Sequence, residues 1–376
     1  MKSLIKKLSV ISIITLFVAS FISAATVDKE ATFKVGSSDI LDVTLRQGNV
    51  TINTSTNNEV KVFAKKIDDD EAGLLTMEQK GGKVDIQFKG EDSDDFELEL
   101  TIPAGLTIDI KTGGGNVTVN NDLNGKIDIT SAGGNISVKN INGLADISTG
   151  GGNINLGDIN NNADVSSAGG DIVIGSVNGK ADISTGGGNI KVGTVTSSAD
   201  ISSAGGNINV ESVDGMADIS TGGGNINVGV VSGNADISTG GGNINLEGAT
   251  GQVETSTGAG NINLKNIKGS VDISTGAGNI TVELYPDGKN RSDISSGIGD
   301  VTLYVPSDAK VTIIASVNDF SWGESKDVPE NINSDFELTT YDKEGHGSDA
   351  VYQLNGGGSV IELNATMGEI NIKKLK

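Results

Sequence analysis

An acidic side chain recurs every 18 residues along this chain, at Asp128, Asp146, Asp164, Asp182, Asp200, Asp218, Asp236, Glu254 and Asp272, without a slip in register. Carboxylates can hold hard cations, act as general acids and bases, or keep a surface wet. Which of these applies depends on how the period places them. If successive repeats stack as rungs of a parallel sheet, equivalent residues lie roughly 4.8 Å apart. Two unit charges at that separation repel by roughly 0.9 kcal/mol in water and by more in less polar surroundings. A long row is therefore costly unless it is solvated or bridged. One reading is a solvated column flanked by serine hydroxyls, whose charge also opposes edge-to-edge aggregation. The other is a row of weak Ca2+ sites at Asp146, Asp164, Asp182, Asp200, Asp218, Asp236 and Asp272, since hard cations gather several oxygen ligands. The array lacks the Gly-Gly-x-Gly-x-Asp nonapeptide of calcium-binding β-rolls, which favours the solvated reading. Ca2+ is the only cofactor the sequence suggests.

Other chemistry finds less material. The single histidine, His346, supplies no triad, and the absence of cysteine removes thiol nucleophiles and thiolate metal sites. A polysaccharide-active enzyme would need two acids in unlike environments, whereas this column is uniform; that reading ranks third. The glycine triplets lack the Lys-Ser/Thr that follows a phosphate-binding loop. An Asn column at Asn135, Asn153, Asn189, Asn207, Asn225, Asn243, Asn261 and Asn279, interrupted by Asp171, reads as corner chemistry, because stacked amides hydrogen-bond to one another. Ice binding would call for paired threonines where this chain has Asp and Ser. No Phe, Tyr or Trp lies between Phe96 and Tyr285, and residues 306–354 hold Phe320, Trp322, Phe336, Tyr341 and Tyr352. There Trp322 and Tyr341 are candidate ligand-binding residues, for instance for sugar, against the simpler reading of a cap over an open core.

The elements that position the acids follow from alternation. In Ala145-Asp146-Ile147-Ser148-Thr149, Ala145, Ile147 and Thr149 share one face and Asp146 and Ser148 the other. Gly150-Gly151-Gly152 is expected to turn the chain through positive φ angles. Asn153-Ile154-Asn155-Leu156 then alternates again, and a short element carries Ile159. The aliphatic positions form columns: Ile147 to Ile273 with Thr255 as the one break, Ile154 to Ile280, and Leu156 to Val282. Gly, Asn, Ser and β-branched residues with period two exclude helix. A fixed 18-residue period means a solenoid, in which a unit buries its apolar face only against its neighbours. The expected fold is all-β, a single-stranded parallel β-helix with less regular β caps at both ends.

The chain divides accordingly into residues 1–25, a signal peptide; 26–111, an N-terminal β region; 112–305, the regular solenoid; and 306–376, a C-terminal cap with an aromatic loop and closing strands around Ser359–Leu363 and Glu369–Ile372. Lys2, Lys6 and Lys7, the apolar run Leu8–Ile22 and the small residues Ser23, Ala24 and Ala25 have the layout of an export signal. The apolar run, about 15 residues, is short against the roughly 20 a span requires, so no integral membrane segment is expected after cleavage. The net charge of −22 excludes nucleic acid and anionic membranes as partners. It leaves cations, basic partners, or plain solubility.

The repeated Gly-Gly-Asn-Ile-Asn-Val and Asp-Ile-Ser-Thr elements, the Leu98-Glu99-Leu100-Thr101-Ile102-Pro103-Ala104-Gly105 strand before them and the closing Leu354-Asn355-Gly356-Gly357-Gly358 segment resemble the bacterial "putative adhesin" β-strand-repeat proteins, a domain family of unknown function. The head domains of autotransporter adhesins are similar more distantly. The resemblance covers nearly all of the chain after residue 25 and implies a single-stranded β-helix in a cell-envelope setting. The functional expectation is a non-enzymatic, exported protein, periplasmic, cell-surface or secreted, acting as an adhesin-like or scaffolding element. Its partner would be a cell-surface or extracellular protein or glycan. A Ca2+-stabilised binding module is the alternative.

Overall fold

The computed structural model describes residues 26–90, 96–318, 331–342 and 347–375. The chain divides into two compact units, one ending at Lys139 and the other beginning at Asn140. The signal peptide expected over residues 1–25 lies outside the described residues.

In the second unit the 18-residue repeat becomes stacked coils. Strands from Ala145–Thr149 to Ser292–Ile298 pair in parallel, each residue opposite its equivalent in the next repeat. A second parallel sheet runs from Ile154–Leu156 to Val301–Val305. The element carrying Ile159 forms a third row: single bridges join Ile141, Ile159, Val177 and Val195, and strand pairing continues it to Val213, Val231, Ala249 and Ile267. The three expected aliphatic columns are buried throughout, as is this third row. Alternation explains why: β-branched residues fit a pleated surface, and each inward side chain stacks on its equivalent in the next coil.

The corners differ from the expectation. From Gly169 to Gly278 none of the corner glycines with resolved geometry lies in the left-handed region. The reason for glycine there is space. A Cβ on Gly188, Gly206, Gly224 or Gly242 would stand 1.9–2.1 Å from the carbonyl oxygen of the corner glycine one coil earlier. The residue before each corner contributes a buried hydroxyl. Ser167, Thr185, Ser203, Thr221, Thr239, Thr257 and Thr275 donate to a corner glycine carbonyl of the preceding coil at 2.8–3.0 Å. Several also accept the N–H of the last glycine of their own corner, at 2.9–3.3 Å. Ser and Thr alternate freely here because only the hydroxyl matters.

Thr255 breaks the Ile column and stays buried, and its hydroxyl has no hydrogen-bond partner. A buried hydroxyl without a partner costs on the order of 1–3 kcal/mol. Thr255→Val keeps the branched shape and removes that group. It is expected to stabilise the unit by about 1–2 kcal/mol, roughly 2–6 °C in Tm for a unit of this size, read by thermal melting monitored by circular dichroism. A lowered Tm would mean the hydroxyl serves some partner after all.

Both units end in a way simple coiling does not predict. In the first unit, the strands that come first in the chain's coiled part, Ile40–Leu45 and Asn49–Ser55, sit one rung in from the end. Ile40–Leu45 lies between Lys83–Phe88 and Thr107–Thr112. Asn49–Ser55 lies between Glu97–Pro103 and Val117–Val119. Antiparallel strands Thr26–Lys34, Glu59–Asp68 and Leu75–Lys80 then extend the two sheets outward. Phe88 and Phe96 stack inside this end with centroids 4.2 Å apart.

The second unit repeats the device at its far end. Ser359–Met367 is inserted between Ser292–Ile298 and Val311–Asn318. Ile370–Lys374 is inserted between Val301–Val305 and Ile332–Ser334. Gly347–Leu354 and Thr340–Asp342 add antiparallel strands beyond. The chain turns into the inserted rung through Asn355, Gly356 and Gly357, all at positive φ. The Asn355 amide pins that turn by donating to the carbonyls of Ser307 and Ala309 at 3.0 and 2.8 Å.

Candidate functional site

In the second unit Asp146, Asp164, Asp182, Asp200, Asp218, Asp236, Glu254, Asp272 and Asp293 stand in register on successive strands, and Glu362 of the inserted rung follows Asp293. The first unit carries its own column, in the spatial order Asp85, Asp42, Asp109, Asp128. Asp42 and Asp85 escaped the sequence reading, although Leu41-Asp42-Val43 and Val84-Asp85-Ile86 carry the same acid between inward aliphatics.

The two columns differ in their counter-charges. Lys83 meets Asp42 at 2.6 Å, Lys111 meets Asp109 at 2.8 Å and Lys126 meets Asp128 at 3.5 Å. At the far end of the second unit Arg291 bonds Asp293 at 3.1 Å and also Glu362. Between these, from Asp146 to Asp272, no acid of the column has an ion-pair partner among the described residues. Part of the bare stretch faces a groove of about 470 Å³. Asp200, Asp218, Asp236 and Glu254 form one wall, Lys180, Met216 and Gln252 lie on the other, and Ala199, Ala217 and Ala235 line it between them. Met216 is 62% exposed, a large apolar group left in an acidic groove. Among the described residues no three of His, Cys, Asp and Glu are grouped to hold a metal ion.

The asparagine column is a working ladder. Each carboxamide oxygen accepts the backbone N–H of the equivalent residue one coil on, at 2.7–2.9 Å, from Asn153 through Asn279 to Asp300 and Glu369. Asp171 continues the ladder, because only an acceptor oxygen is needed there.

A family model described as Toastrack DUF4097 matches residues 37–233, more than half of the chain. The chain belongs to the Toastrack DUF4097 family. No curated protein matches it. Among solved structures, it is similar to a putative adhesin from Bacteroides fragilis at 15% identity, covering 94% of this chain and 98% of that one with a TM-score of 0.23. A putative cell adhesion protein from Clostridium sporogenes aligns at 13% identity over 93% of this chain and 100% of that one, with a TM-score of 0.17. A putative lipid binding protein from Parabacteroides distasonis aligns at 14% identity over 65% of this chain and 96% of that one, with a TM-score of 0.23.

The Toastrack match contains the acids from Asp42 to Asp218, while Asp236, Glu254 and Asp272 lie beyond it. So do the aromatic candidates. Trp322 and His346 lie outside the described residues. Tyr341 is half-buried on the outermost strand Thr340–Asp342, separated from Glu362 by the strands Gly347–Leu354 and Val311–Asn318. It is not brought to the acidic groove.

Two acids of this Toastrack column respond to their surroundings. Burial pushes the Asp164 carboxyl up, and Asp182 and Asp146 add to this while Lys180 opposes it. Burial likewise raises Asp200, helped by Asp182 and Asp218 and opposed by Lys180. A carboxyl whose folded pKa exceeds its unfolded value binds its proton more readily in the folded state. Its contribution to stability is then greatest below the unfolded value, near 3.8, and is lost as pH rises through the folded value. The second unit is thus expected to gain stability on acidification from neutral pH towards pH 4 at these sites. The double variant Asp164→Asn/Asp200→Asn should raise Tm at pH 7 and flatten its dependence between pH 4 and 7. An unchanged pH profile would remove these two groups from the account.

Proposed function

We propose that this chain is an exported, non-catalytic surface protein, an adhesin-like or scaffolding element that presents a long acidic face to a basic or cation-bridged partner outside the cell. The observation that carries the proposal is the bare row of carboxylates from Asp146 to Asp272, part of it lining a groove. Stacked like charges cost stability. The first unit pairs its column with lysines at 2.6–3.5 Å, while in this stretch of the second Lys180 offsets Asp164 and Asp200 without an ion pair to either. A partner that supplies positive charge would recover that cost. The make-up of the column supports the non-catalytic part: it repeats one residue type at one position of each coil, without the histidine or cationic partner that commonly accompanies acid–base catalysis at such acids. The basic, then apolar, then small-residue layout of residues 1–25, read as an export signal, supports the location.

The test is binding of the purified chain to immobilised poly-lysine and to a set of basic extracellular proteins, compared with the variant Asp200→Asn/Asp218→Asn/Asp236→Asn. Salt-sensitive binding weakened at least tenfold in the variant is expected. Equal binding by both proteins, or turnover of polysaccharides by the unmodified chain, would overturn the proposal. The missing counter-charges also favour a second reading, in which Ca2+ bridges neighbouring acids and stiffens a binding module. It requires a higher Tm in millimolar Ca2+ than in chelator, and an unchanged Tm would dispose of it.

A further inference from the structure

A second groove, of about 660 Å³, opens on the other sheet of the second unit, away from the acids already described. Val192, Val210 and Val228 lie among its lining residues, and polar side chains stand between them. Asn209, Asn227 and Asn245 occupy equivalent outward positions on three successive strands. The Asn227 amide donates to the Asn209 carbonyl oxygen at 2.9 Å, and the Asn245 amide donates to that of Asn227 at 2.8 Å. A carboxamide has two N–H donors and two acceptor lone pairs. The middle member, Asn227, therefore spends one of each in the ladder and keeps one of each for the groove. Glu211 and Glu247 line the groove beside the amides, two coils apart or roughly 9.6 Å along the stack. Lys191 stands at one end.

We infer that this groove binds a neutral glycan, laid along the stack of coils. The reasons are chemical. The groove crosses the strands, where backbone N–H and C=O groups are already joined from coil to coil, so a peptide could not add to the sheet as an extra strand. What the groove does offer is a fixed lattice of amide donors and acceptors beside carboxylates that only accept. That lattice suits a chain of vicinal hydroxyls, which give and take hydrogen bonds at regular intervals. Lys265 bonds Glu247 at 3.1 Å, whereas Glu211 has no ion pair among the described residues, and its free carboxylate in the middle of the groove favours an uncharged sugar over an anionic one. The inference deepens the surface-binding reading and rests on it in one respect, that the chain meets extracellular ligands at all.

The experiment is isothermal titration of the purified chain with cellohexaose, with chitohexaose and with an oligogalacturonate. Binding of at least one neutral hexasaccharide and none of the oligogalacturonate is expected. Glu211→Gln, at an exposed position that should leave the fold intact, and Asn227→Ala should each weaken binding at least fivefold. Asp218→Asn, on the acidic groove, should leave it unchanged. Loss of binding in Asp218→Asn alone, equal affinity in Glu211→Gln and Asn227→Ala, or preference for the acidic sugar would each overturn the inference. Salt-sensitive binding to poly-lysine without any binding of the neutral hexasaccharides sinks the glycan inference and leaves the acidic-face reading standing. Failure of both assays removes both.

Discussion

A chain ending at Leu354 is expected to lose the whole far end of its second unit, not merely a final rung. The segment removed contains Ser359–Met367 and Ile370–Lys374, which are inserted between earlier strands. Its side chains Ile361, Leu363, Ile370 and Ile372 are buried. At roughly 1.5–3 kcal/mol for each buried aliphatic side chain, their burial contributes on the order of 6–12 kcal/mol, comparable with the net stability of a typical domain. The loss also opens a gap. Val311–Asn318 keeps its antiparallel partner Gly347–Leu354 but loses its link to Ser292–Ile298 through the inserted strand.

In a simple solenoid, each rung depends on its nearest neighbours, so trimming the last one frays only the end. Here the rung that comes last in sequence lies inside the stack, with Val311–Asn318 and Ile332–Ser334 beyond it. Hydrogen exchange distinguishes the two cases. Amides of Val311–Asn318 and Gly347–Leu354 should exchange as in an unfolded chain, while those of Ala163–Ser167 and Ala181–Thr185 should stay protected. If Val311–Asn318 kept its protection in the shortened chain, the inserted rung would be dispensable and the argument from its position would fail.

What the sequence made legible was whatever repeats. The 18-residue period told which residues point inward, because alternation and stacking act identically in every coil; Ile147 and Ile154 therefore spoke for all their equivalents. The acidic column was legible for the same reason. Its counter-charges were not, since Lys83 reaches Asp42 across a rung order that no local pattern records. The inserted rungs at both ends were hidden likewise. Ile361 and Leu363 read as a closing strand, and alternation says which face is buried but not which strand lies beside it. The corner hydroxyls were placed on the inward face, but their role needed three dimensions: Ser167 donates to Gly152, 15 residues back in sequence yet one coil away in space.

The corner glycines make the sharpest test of that distinction, because two adjacent residues are predicted to behave in opposite ways. Gly206→Ala is expected to destabilise the second unit by about 3–5 kcal/mol, beyond the usual cost of overpacking. The added Cβ would stand 1.9 Å from the carbonyl oxygen of Gly188 and 2.8 Å from the backbone nitrogen of Asn189. Relief requires the two coils to part, and that stretches the bond from the Asn207 N–H to the Asn189 side chain, now 2.9 Å. Gly205→Ala should be neutral or slightly stabilising, since a Cβ there meets nothing within 4 Å and alanine restricts the unfolded chain. The molecule already carries this contrast. At the position of Gly205 other corners hold Ala259, Ala277, Ile298 and Met367, the last two more than half exposed, whereas the position of Gly206 is glycine at Gly224, Gly242, Gly260 and Gly278, none of them at positive φ. Equal melting temperatures for the two alanine variants would show that close approach of the coils does not set the residue at that corner. If Gly205→Ala proved the more damaging, glycine would be serving backbone conformation after all.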